Sequence, residues 1–152
     1  MSLRITFRVL VAFALVSCAA CAEEAASTPD VRGAWKIVRW YCSDCGSRRF
    51  DEKDAVIQFG DKSIVNPVGD ACNDTPFYEL KETTATALIA GRGRTWPASF
   101  KQSLAMHPKV REGFVLCEGI NYMQVIFASP SILYFFWEGG LIFELERVPR
   151  KQ

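Results

Sequence analysis

Between residues 33 and 149 the chain alternates short apolar runs, rich in β-branched and aromatic residues, with clusters of turn residues, the pattern of an antiparallel β fold. Strands are predicted over 34–41, 55–60, 63–66, 75–80, 84–89, 113–118, 122–128, 132–137 and 141–147. Gly60-Asp61-Lys62, Lys81-Glu82-Thr83, Gly119-Ile120-Asn121 and Ser129-Pro130-Ser131 supply turns, and Gly139-Gly140 predicts a two-residue hairpin into the last strand. In that strand Leu141, Phe143 and Leu145 take one face and Ile142, Glu144 and Glu146 the other, so one face should be buried and one largely wet. Residues 132–137 are apolar throughout and should be covered on both sides. Trp96, Phe100 and Leu104 recur every four residues after a break in the β pattern, with Pro97 in the first turn and Pro108 beyond the end, predicting one short amphipathic helix near 96–106. The expected fold class is all-β with minor α: an antiparallel barrel or meander of about eight strands with that one helix.

Ahead of this domain, Arg4 and Arg8 precede an apolar run over 9–16 that ends in Leu15-Val16-Ser17-Cys18, the layout of an export signal. The tetrapeptide resembles the lipobox of bacterial lipoproteins, which implies cleavage after residue 17 and a diacylglyceryl group on Cys18. Ala20-Cys21-Ala22 offers an alternative cleavage after Ala22. The run is shorter than the roughly 20 residues a membrane-spanning helix needs, and the greasy 141–148 stretch is interrupted by Glu144 and Glu146. Residues 18–32, with EEAASTPD at 23–30, read as a flexible tether, and 33–149 as a single domain. The expected location is the bacterial cell envelope, lipid-anchored or periplasmic.

Charge narrows the classes of partner. Without the leader the chain holds 16 basic and 17 acidic residues, a net −1. That balance argues against nucleic acid, which calls for a concentrated basic surface. Arg48-Arg49 and Arg92-Gly93-Arg94 are local basic spots, read as solvated loops.

Four cysteines remain in the domain, Cys42, Cys45, Cys72 and Cys117. In an oxidising compartment they imply two disulfides. The expected pairing is crossed, each member of Cys42-Ser43-Asp44-Cys45 reaching Cys72 or Cys117, because longer closed loops remove more unfolded-state entropy. Two sharper readings of the CxxC are weighed against it. A redox dithiol would sit at a helix N-terminus, but the residues after Cys45 lack an apolar helical stripe. A zinc site would ordinarily present a second close pair, whereas Cys72 and Cys117 lie far apart.

The remaining chemistry is sparse. His107 is the only histidine, so a multi-histidine metal site is excluded. Ser99 and Ser103 lack the context of a nucleophile, and the carboxylates of Asp51-Glu52-Lys53-Asp54 and of Asp70 and Asp74 read as solvated loops. The 70–74 stretch lacks the glycine and distal glutamate of a calcium-binding EF-hand loop. Neither a P-loop nor a dinucleotide fingerprint is present. No metal, no cofactor and no catalytic residue are expected, and the chain is read as a non-enzyme.

Two resemblances bear on function. Gly33-Ala34-Trp35 resembles the G-x-W opening of lipocalin-like barrels, which implies that Trp35 closes the base of an antiparallel barrel. The format of lipobox, cysteine-stapled barrel and no catalytic set is similar to that of small lipoproteins that inhibit lysozymes. Glu118-Gly119-Ile120-Asn121-Tyr122 keeps the glycine and tyrosine of the Ser-Gly-x-x-Tyr motif of the C-type inhibitors, with Glu118 in the serine position. The leading expectation is an exported, non-catalytic binding or inhibitory module for another envelope protein, with Arg92, Arg94, Tyr122 and Trp137 as candidate contacts. Alternatives are a small lipocalin-like carrier of an apolar ligand, motivated by Gly33-Ala34-Trp35 and Phe135-Phe136-Trp137, and a CxxC thiol oxidoreductase using Cys42 and Cys45.

Overall fold

The structure, a computed structural model, describes residues 30–45 and 52–149. Cys18, both cleavage positions, Arg48-Arg49 and Asp51 lie outside these residues. Eight antiparallel strands form one sheet curled into a half-barrel: β1 (Gly33–Tyr41), β2 (Val56–Phe59), β3 (Ile64–Val65), β4 (Phe77–Thr84), β5 (Lys109–Cys117), β6 (Ile120–Ser129), β7 (Ile132–Trp137) and β8 (Leu141–Arg147). Their order across the sheet is β3-β2-β1-β8-β7-β6-β5-β4, so the first and last strands are neighbours at its centre. The expected all-β architecture is therefore the one observed. The far edge reaches back to the β2–β3 hairpin through side chains: Tyr78 Oη of β4 donates to the Gly60 carbonyl of the β2–β3 turn at 2.7 Å, and the rings of Tyr78 and of Phe59 in β2 lie 6.4 Å apart.

Most hairpins fall where turn chemistry places them. Phe59 pairs with Ile64 across a turn closed by Gly60 N donating to Ser63 O. Three local predictions need correction. The strand predicted over 84–89 and its turn at 81–83 do not exist. β4 runs straight through Lys81-Glu82-Thr83, and Thr84 then caps helix α1 (Ala85–Arg92), its hydroxyl accepting from Ala87 N at 3.1 Å. Ala85-Thr86-Ala87-Leu88-Ile89 could serve either state, and a capping threonine ahead of two alanines favours helix. The fold thus has two α-helices joined by a 3₁₀ turn at Gly93–Thr95, the expected one being α2 (Ala98–Ala105), with Pro97 at its N-cap. The turn at 119–121 is instead made by Glu118 and Gly119, with Ile120 already paired to Cys117. The last hairpin has three linking residues, Glu138–Gly140, because Trp137 pairs with Leu141.

The largest correction concerns the outer face of β8. Leu141, Phe143 and Leu145 pack inward as expected, but Ile142 and Glu144 are buried too. The helices between β4 and β5 lie across the outside of the sheet and cover it. Phe100 and Leu104 of α2 and Leu88 of α1 pack on Tyr41, Ile126, Tyr134 and Ile142. Phe100 contacts the Tyr134 ring edge-on at 5.1 Å, and Trp96 bridges Phe100 and Phe136 at 5.2 and 5.5 Å. This second core is also why 132–137 is apolar on both faces.

Inside it sits a polar knot that periodicity alone could not reveal. Glu144, 8% exposed, accepts a short hydrogen bond from Tyr41 Oη, and Ser103 Oγ lies 3.5 Å from the same carboxylate oxygen. Ser103 and Tyr134 share a hydrogen bond of 2.8 Å, and burial pushes the Tyr134 phenol up to about 12. A buried carboxylate is tolerable only while it is hydrogen-bonded. Tyr41→Phe is therefore expected to destabilise the fold by about 1–3 kcal/mol, chiefly by stranding Glu144. A urea titration checks this, and the double variant Tyr41→Phe/Glu144→Leu should recover part of the loss.

Candidate functional site

The two ends of the half-barrel are built differently. At one end Trp35 is fully buried, and its indole donates to the Val31 carbonyl at 2.6 Å. Arg147 from β8 lies 4.2 Å over the ring. Its guanidinium donates to the carbonyls of Pro130 and Arg32, at 2.7 and 2.9 Å, and to that of Asp30. Gly33 has φ +127, and a Cβ there would come within 2.9 Å of that guanidinium, so the glycine and the tryptophan of the G-x-W opening are placed by one packing arrangement. Trp35 thus fills this end of the half-barrel interior. A cavity of about 850 Å³ flanks this end, lined among others by Arg32, Asp61 and Arg147, which are engaged in ion pairs and main-chain hydrogen bonds.

The interior is filled by Trp35, Phe59, Val115, Phe127, Phe135 and Phe143. Space reappears at the opposite end. There, a recess of about 330 Å³ is walled by Val68, Trp137, Leu141 and Phe143 and rimmed by Asp44, Glu52, Glu138, Gly139 and Cys45. The segment after β1, the 66–70 loop and the β7–β8 hairpin supply these residues. Trp137 is held by its neighbours: its ring stands edge-on to Phe135 at 5.4 Å and lies against Gly69, where a Cβ would come within 2.0 Å of the indole. The loop under it is tied by Tyr122, whose hydroxyl donates to the Asp70 carbonyl, and by Asn66, which reaches Tyr122 at 3.4 Å and accepts from Val68 N at 3.2 Å. Glu52 Oε2 is buried and, among the described residues, has no hydrogen-bond partner.

The four candidate contacts part company here. Trp137 walls the recess. Tyr122 buttresses it from behind, so its hydroxyl is committed to the loop. Arg94 is exposed on the 3₁₀ turn, which a hydrogen bond from Ser43 Oγ to Thr95 O, 2.9 Å, ties to the Cys42–Cys45 segment. Arg92 is paired with Glu112 on the outside of the sheet, away from the recess lining. The solvated reading of Glu52 is overturned: its carboxylate is half-buried in the recess. Asp44, Glu52 and Glu138 carry no sequence signal of their own, since three loops must converge before their charges add.

The cysteines form two disulfides, as expected, but the crossed pairing is incorrect. Cys42 pairs with Cys45 and Cys72 with Cys117, with Cα separations of 5.7 and 5.9 Å. Cys42 follows directly on the end of β1, and the chain turns back within two residues. Cys72 is held by a bridge to Ile64, which puts it opposite the end of β5. Among the described residues no group of histidine, cysteine and carboxylate side chains could hold a metal ion, and no helix is long and apolar enough to cross a membrane. No family model, curated protein or solved structure matches this chain.

Proposed function

We propose that the chain is an exported binding module of the bacterial envelope whose recess beside Trp137 receives a basic side chain of a partner protein. One observation carries the reading: the recess beside Trp137 combines apolar walls with three carboxylates, one of which has a buried oxygen with no hydrogen-bond partner among the described residues. A lysine or arginine side chain suits such a recess, its methylenes lying on Trp137 and Phe143 and its charge meeting Glu52, Asp44 and Glu138. Loss of water from Glu52 is then offset by a charge-assisted hydrogen bond. The disulfides accord with an oxidising compartment, and anchoring through Cys18 would hold the module at a membrane by its tether.

Saturable binding to a protein from a periplasmic extract is expected. Trp137→Ala should weaken it by about 2 kcal/mol, roughly 30-fold, as for a central aromatic contact. Glu138→Arg should weaken it as well, with circular dichroism unchanged for both variants. Absence of any saturable partner, or binding indifferent to both substitutions, would overturn the reading.

A further inference from the structure

The two disulfides are built for different work. Cys72–Cys117 joins positions 45 apart in sequence, and Cys72 is fully buried in the inner core. Cys42–Cys45 joins positions 3 apart, both cysteines are only half-buried, and the residues between them, Ser43 and Asp44, are exposed. Cys45 also lines the recess beside Trp137.

The chain on the Cys42 side of the local bridge is held without it. Tyr41 is paired with Ile142 of β8 and hydrogen-bonded to Glu144, and Ser43 is fastened to Thr95 O at 2.9 Å. Opening the bridge therefore releases neither β1 nor Ser43 from its partner.

We propose that Cys42–Cys45 is a reversible thiol–disulfide exchange site whose substrates are dithiols of exported proteins. A partner thiolate attacks Cys45 Sγ. The Cys42–Cys45 bond breaks as the mixed disulfide forms, and Cys42 leaves as a thiolate that takes up a proton. The partner's second thiolate then attacks its own sulfur in the mixed disulfide and releases Cys45, which is protonated in turn. Two electrons and two protons pass to Cys42 and Cys45, and the partner dithiol becomes a disulfide. This site stands independently of the docking reading, since exchange needs access to Cys45 and not a lasting complex.

The test uses two peptide probes on the folded, oxidised protein. A reduced peptide with two cysteines should become a disulfide while one equivalent of Cys42–Cys45 is reduced. A peptide with one cysteine should stop at a mixed disulfide, which peptide mapping places on Cys45. Both reactions are expected to run at least about tenfold faster than any opening of Cys72–Cys117. The double variant Cys42→Ser/Cys45→Ser, checked for native circular dichroism, should oxidise no peptide. Reduction of the local bridge only after unfolding, attachment of the probe at Cys72 or Cys117 alone, or an unreacted dithiol beside an intact Cys42–Cys45 would each overturn the proposal.

Discussion

Replacing Cys72 and Cys117 together by alanine is expected to lower the unfolding free energy by about 4 kcal/mol, whereas removing Cys42 and Cys45 should cost about 2 kcal/mol at most. The difference follows from loop length. The long bridge closes a segment whose ends lie 45 positions apart and contains β4, both helices and β5, so in the unfolded chain it denies that whole stretch its freedom. The short one restrains four residues that are already close. Cys72 also packs in the inner core, adding a packing loss on truncation. Urea denaturation of the two double variants checks the contrast, provided the slope with urea is unchanged. Equal losses would mean that the unfolded chain is not the main seat of the effect.

Trp35→Ala is expected to destabilise the protein by about 3–5 kcal/mol, the range for truncating a large core aromatic. The indole is fully buried and meets Phe127 edge-on at 5.9 Å. It is also the platform on which Arg147 rests while that guanidinium gathers the carbonyls of Asp30, Arg32 and Pro130. Deleting the ring leaves a cavity and frees the arginine that joins the entering segment, the β6–β7 turn and the last strand. Trp35→Phe keeps most of the volume and loses the indole hydrogen bond to Val31, so it should cost less. Chemical denaturation of both variants measures the order, and a loss below about 1 kcal/mol for alanine would contradict the role given to Trp35.

Much of the fold is legible along the chain because strand periodicity and turn chemistry are local. The run 132–137 and the alternation at 141–147 give β7 and β8 their observed bounds, and Phe100 and Leu104 mark the buried face of α2. The readings that failed depend on what a segment meets. Residues 84–89 carry both β-branched and helix-favouring side chains, and the choice falls to the cap at Thr84 and to the outer face of the sheet awaiting cover. Glu144 looks wet in an alternating strand, yet it is buried because α2 brings Ser103 above it. Of the candidate contacts, Trp137 could be read as an aromatic beside a hairpin. The acidic rim could not, because Asp44, Glu52 and Glu138 come from separate segments.

By itself the order of residues determined the β class, the positions of most strands and the helix at α2. Each of these rests on contacts or torsions spanning a few residues. The disulfide partners, the two-sided burial of β8 and the recess beside Trp137 were decided only by tertiary structure. They depend on which distant segments the sheet's curl and the helical crossover bring together, and neither residue spacing nor loop-entropy preference encodes that geometry.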